Sequence, residues 1–97
     1  MVNILNYNFE GWHPLEGTLF NEVAGIYVIA AGNAWLDVGE TATLATRLGS
    51  HERKPAWQRN AGGNAIHVAF LGVQDQQTRL TIESSLRLSL SPLCGDR

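Results

Sequence analysis

The sequence holds a single cysteine, Cys94, among its 97 residues. No disulfide can close within the chain, and a cysteine-rich metal centre is excluded. A reducing compartment, the cytoplasm, is the corresponding expectation. Charge is also sparse. Charged residues make up 16% and the net charge is -2, which argues against tight nucleic-acid binding. No apolar run approaches the roughly 18 residues that mark a membrane span, so no membrane partner is expected. The opening MVNILNYNFEGWHP has neither a basic leader nor a long apolar stretch, and no export signal is expected. Internal repeats and low-complexity tracts are absent from the pattern.

What is present suits one folded domain. Hydrophobic residues make up 44%, enough for a core rather than a disordered chain, and the length fits a single modest one. Residues 25–31 (GIYVIAA) and 34–39 (AWLDVG) read as two strands, and Gly32-Asn33 between them is a hairpin signal, so the pair is antiparallel. Residues 65–71 alternate apolar and polar and read as a third strand. Thr41 or Thr43 can cap a helix over about 42–51 with Leu44 and Leu48 on its buried side. Pro55 suits the first turn of a second short helix. Asp75 caps a helix over about 76–88, with Leu80, Ile82 and Leu86 buried and Arg79, Glu83 and Arg87 on another stripe. The tail LRLSLSP also alternates like a strand, and Pro92 sets the outer limit of the helix. Residues 3–9 read as a short edge strand or extended arm, and EGWHPLEGT as loop. The expected fold is therefore α/β (α+β): a three-stranded antiparallel sheet flanked by helices, with residues 1–23 as an arm and 24–97 as the domain.

Charge is concentrated in one place. Residues 47–59 place Arg47, Arg53, Lys54 and Arg59 against Glu52 alone, a local +3. Such a patch on an acidic body can steer a phosphate backbone, and it also has the composition of a solvated loop. Trp57 lies within it and suits either base stacking or core packing. Tyr27, Arg47, His51 and Glu83 form a second grouping. A tyrosine can hydrogen-bond or move a proton, an arginine fork matches two phosphate oxygens, and a single carboxylate with waters suits magnesium. Together they suit metal-assisted phosphodiester cleavage. Each residue also has a structural account: a core phenol, a surface arginine, a histidine at a helix C-terminus, and a glutamate paired with Arg79 and Arg87.

Over about residues 24–95 the chain resembles the GIY-YIG nuclease superfamily. Gly25-Ile26-Tyr27 matches the first motif. Asp37-Val38-Gly39 stands where the second motif has Tyr-Ile-Gly. Leu44, Arg47 and His51 follow in register, then Glu83 on a late helix, then Pro92. The resemblance implies a divalent-metal-dependent endonuclease acting on nucleic acid, with DNA the expected substrate, Tyr27, Arg47, His51 and Glu83 catalytic, and Glu83 holding Mg²⁺ or Mn²⁺. Two departures stand against it. Asp37 replaces a tyrosine and puts negative charge near a phosphate, unless it becomes a metal ligand. Gly95 stands at a frequent asparagine position. The alternative is a catalytically impaired GIY-YIG-like module for nucleic-acid binding or protein interaction, with a protein partner or homodimer among the expectations.

Overall fold

The computed structural model describes residues 1–95. Its centre is an antiparallel sheet of five strands, not three: β1 (Val2–Ile4), β2 (Tyr7–Pro14), β3 (Gly25–Ala31), β4 (Ala34–Thr41) and β5 (Ile66–Gly72), in the order β1-β2-β5-β3-β4. The helices are α1 (Leu44–Gly49), α2 (Lys54–Asn60) and α3 (Gln76–Leu90). β3 is the middle of the domain, with β4 on one side and β5 on the other. Being central, it is buried on both faces, which is why GIYVIAA reads as a nearly continuous apolar run.

The two extra strands come from the N-terminal segment expected as arm and loop. β1 and β2 form a hairpin through Leu5 and Asn6, both at positive φ. Paired positive φ angles match the twist of a tight hairpin, but leucine carries no signal for that geometry. β2 then pairs with the free side of β5, with a register shift between Glu10 and His13. Gly11 and Pro14, which read as loop punctuation, fall at that irregularity and at the strand end, where a sheet accommodates them.

Period-2 alternation divides the core between the two faces of the sheet. Tyr27, Ile29, Ala31 and Val68 pack under α1 and α2 with Leu44, Leu48 and Trp57. Ile26, Val28, Val38 and Ala69 pack on the other face against Ile82 and Leu86 of α3. A bulge in β4 alters this alternation. Ile29 pairs with Asp37 but Ala30 pairs with Trp35, so Leu36 is the extra residue. Leu36 joins the core beneath α1 and α2, while Trp35 packs on the α3 side.

α1 is shorter than the expected 42–51. Its N-cap Thr43 makes no side-chain cap bond, and the helix ends at Gly49 before His51. α2 has Pro55 in its first turn. α3 starts where Asp75 accepts from the Thr78 N–H at 2.8 Å, and ends at Ser91 in a left-handed conformation. The tail reading as strand is thereby resolved in favour of helix through Leu90.

The expected faces of α3 are revised. Leu80 is 39% exposed, whereas Arg79 and Arg87 are buried. The arginines lie along β4, an edge strand whose free carbonyls need partners. Arg87 donates to the Val38 carbonyl. The N–H groups of Leu93 and Cys94 donate to the carbonyls of Trp35 at 3.0 Å and Leu36 at 2.8 Å. Arg79 donates to Glu40 at 2.9 Å. The edge is thus closed by the helix and by the segment after it.

Candidate functional site

β3 presents Tyr27 to the α1–α2 side directly opposite Gly39 of β4. A Cβ on Gly39 would lie 2.2 Å from Tyr27 Cζ and Oη, and one on Gly25 would lie 2.1 Å from the Leu71 carbonyl oxygen. The two motif glycines are required by close approach. Gly39→Ala is therefore expected to cost about 1–3 kcal/mol by overpacking. Gly49→Ala, with nothing within 4 Å of a Cβ, is its control and should stay within about 0.5 kcal/mol. Thermal melts of the two variants decide this; equal melting temperatures would overturn the packing account.

Tyr27 Oη lies 2.8 Å from His51 Nε2. The Arg53 backbone N–H donates to His51 Nδ1 at 3.0 Å. Nδ1 is thus an acceptor, the neutral ring carries its proton on Nε2, and Nε2–H donates to the phenol oxygen. Both side chains are buried, at 1% and 3% exposure. Burial raises the Tyr27 pKa above its ordinary value, against the opposing influence of Arg47. Burial also lowers that of His51 to about 4, helped by the charges of Arg47 and Arg53. Arg47, partly exposed, is held by Glu52 at 2.8 Å, and this bond holds the Glu52 carboxyl down to about 2. Although α1 stops short of His51, Tyr27, Arg47 and His51 therefore do come together.

Asp37 is the hub of the site, and its role differs from both sequence expectations. It is fully buried. Oδ2 accepts from Arg53 Nε at 2.7 Å and Trp57 Nε1 at 2.8 Å. Oδ1 accepts from the Val38 N–H at 2.9 Å and from Arg87 at 2.7 Å. The carboxylate is paired with two guanidinium groups, so it presents no unpaired negative charge to a phosphate; Arg87 also meets Glu83 and Arg53 also meets Glu52. Both oxygens are engaged by nitrogen donors, which would have to be displaced for a metal to bind. Trp57 is 0% exposed and offers no face to a base; its indole N–H is a buried donor that Asp37 satisfies.

Gly95 fits this arrangement. A Cβ there would lie 2.8 Å from the Arg87 guanidinium nitrogens and 2.9 Å from Asp37 Oδ1. The guanidinium thus fills the space into which a side chain at Gly95 would project. The sequence places Arg87 only beside Glu83, a pairing present at 3.4 Å, and carries no sign that Arg87 and Arg53 both pair with Asp37. The one available signal was an aspartate in a strand otherwise built to be buried, which requires cationic partners.

Glu83 is half-buried, with Arg87 Nε 3.4 Å away, and burial raises its pKa. It is the residue that would hold the divalent cation the resemblance implies. Glu83 alone, with waters, is the donor set the resemblance implies, and the Arg87 guanidinium stands against one of its oxygens, where it competes with a cation. Among the described residues, no three of His, Cys, Asp and Glu come together. Of the basic residues, Arg59 is exposed, Lys54 is partly exposed and donates to the Gly49 carbonyl at 3.3 Å, and Arg53 serves Asp37.

No protein-family model and no curated protein matches the sequence. Solved structures do match. The N-terminal GIY-YIG endonuclease domain of UvrC from Thermotoga maritima, as a point mutant bound to its catalytic divalent cation, aligns at 17% identity over 79% of this chain and 87% of that one, with a TM-score of 0.63. The same domain bound to magnesium aligns at 20% identity over 74% and 82%, with a TM-score of 0.60. The chain thus has a fold similar to the GIY-YIG endonuclease domain. No helix of the described residues is long and apolar enough to cross a membrane.

Proposed function

We propose that this chain is a GIY-YIG-like module that binds the phosphate backbone of nucleic acid through its α1–α2 face and does not hydrolyse it. The observation that carries this is the saturation of Asp37 by Arg53, Arg87, Trp57 and the Val38 N–H. The network makes Asp37, at the position of the family's second motif tyrosine, the centre of an ion triad with Arg53 and Arg87. It places the Arg87 guanidinium against Glu83, where it competes with a cation for that carboxylate. Arg47, Arg53, Lys54 and Arg59 would supply the backbone contacts, and each neutralised phosphate releases condensed counterions.

A second reading, a divalent-metal-dependent endonuclease with Tyr27, Arg47, His51 and Glu83 catalytic, is favoured by the convergence of Tyr27, His51 and Arg47. One experiment separates the two: titrate labelled duplex and single-stranded DNA, and RNA, at low and moderate salt, and incubate supercoiled plasmid with Mg²⁺, Mn²⁺ or chelator. The proposal expects binding that weakens with salt, falls several-fold in Lys54→Gln/Arg59→Gln, and leaves plasmid intact throughout. Nicking that requires the cation and disappears in Glu83→Gln establishes the second reading. No binding at low salt removes both.

A further inference from the structure

On the sheet face that carries α3, beyond the last turn of that helix, an open cavity of about 460 Å³ has no part in the site above. Its lining includes Trp12, Ala30, Asn33, Trp35 and His67. The indoles of Trp12 and Trp35 meet with centroids 6.1 Å apart and planes inclined by 40°, and both are only partly buried. The β4 bulge creates this pair: without the extra residue Leu36, Trp35 would face the α1–α2 side with Asp37. Asn33 and His67 add polar groups beside the two aromatic faces. A mostly apolar recess of this size with a few polar groups suits a small planar ligand.

We propose that this cavity takes an unpaired nucleobase of a single-stranded nucleic acid, stacked on Trp12 or Trp35, while the backbone of the same strand runs over α2. The proposal rests on the nucleic-acid reading above and specifies it. The connection is structural. Gly32, in the turn that lines the cavity, lies against Asn64 in the loop after α2, since a Cβ on Gly32 would sit 2.8 Å from Asn64 Nδ2. The loop that follows Arg59 at the end of α2 and the aromatic recess therefore meet at the tip of the β3–β4 hairpin. A strand bound electrostatically on one side can turn the tip and place a base on the other. A duplex cannot, because its bases are paired and stacked. Aromatic stacking accepts any base, so little sequence preference follows.

The test begins with the unaltered protein. A thymidine 12-mer carrying 5-bromodeoxyuridine is bound at low salt, irradiated, and its crosslinks mapped by mass spectrometry. Crosslinks at Trp12 or Trp35 are expected; crosslinks confined to other residues overturn the cavity's role. Trp35→Ala and the milder Trp35→Phe are then compared with the parent by anisotropy, each after its fold is checked by circular dichroism. Single-strand affinity should fall about tenfold in the alanine variant, which corresponds to one lost stacked base, and less in the phenylalanine variant, with duplex affinity unchanged. Equal losses for duplex and single strand, or none for either, overturn the proposal while the backbone-binding reading stands. Absence of binding by the unaltered protein to any of these nucleic acids overturns that reading and this proposal together.

Discussion

Asp37→Ala is expected to lose about 3–5 kcal/mol of folding stability, the range for removing one partner of a buried ion pair. The cost arises from what remains. Arg87, 9% exposed, loses its 2.7 Å partner and keeps only Glu83 at 3.4 Å, and the fully buried Trp57 keeps an indole N–H without an acceptor. Arg53 is better placed, because its partly exposed side chain can turn to water and to Glu52. Asp37→Asn should cost less, since a carboxamide oxygen still accepts one or two of these bonds, though its NH₂ faces other donors. The decisive comparison is Asp37→Ala/Arg87→Met. If the large single-mutant loss is an uncompensated guanidinium, removing it should recover part of that loss, and the two effects should be strongly non-additive. Urea unfolding of the four proteins measures the cycle. A loss below about 1 kcal/mol in Asp37→Ala, or simple additivity, would remove Asp37 from the centre of the fold. Asp37→Tyr is expected to destabilise rather than to produce nuclease activity, because the tyrosine would bury a phenol beside Arg87 with no carboxylate to pair it.

How far the sequence disclosed this molecule depends on which signal each element carried. The β3–β4 hairpin, β5 and α3 were legible because their apolar periodicity and their turn and cap residues agreed: Gly32-Asn33 sits in the turn and Asp75 caps the helix. β1 and β2 were not. Their hairpin turns on a leucine and an asparagine at positive φ, and β2 carries Gly11, Pro14 and a register shift that all read as loop. The faces of α3 misled for a different reason. Arg79 and Arg87 are buried because an edge strand with an internal carboxylate lies beside them, and no pattern within the helix contains that information. The candidate site was half legible. Tyr27, Arg47 and His51 do converge, although α1 ends too early for a shared helical stripe. The meaning of Asp37 was not accessible, because its partners come from residues 16 and 50 positions away. Trp35 shows the same limit, since one bulge residue reverses the face that strict alternation assigns it.

His51 supplies the other large effect, through pH. Its folded pKa of about 4 lies below the ordinary value of 6.5 because burial disfavours the imidazolium. Between those values the unfolded chain binds a proton that the folded chain refuses, so stability rises with pH across that window. The His51 contribution is complete above about pH 6.5 and is lost as pH falls toward 4. A separation of this size corresponds to about 3 kcal/mol when fully expressed. Four carboxylates modify the profile; Glu22 and Asp75, lowered by hydrogen bonds from Thr46 and Thr78, lose their contributions only as pH falls below their unfolded values. Glu83, whose pKa is raised by burial, binds its proton more readily when folded and offsets part of the loss near the bottom of the window. Glu52, held to about 2 by Arg47, favours the folded state above its unfolded value and loses that contribution as pH falls toward 2, largely below the His51 window. Urea unfolding at pH 7.0 and 4.5 should therefore show a drop of a few kcal/mol in the parent protein. His51→Gln, less stable at pH 7, should show a much shallower dependence. Long-range ¹H–¹⁵N spectra supply the independent readout: the His51 ring should remain neutral at pH 5.5 with its proton on Nε2, the tautomer required by the Arg53 N–H at Nδ1. An imidazole already cationic at that pH, or one protonated on Nδ1, would show that the Tyr27–His51 contact is not formed as described.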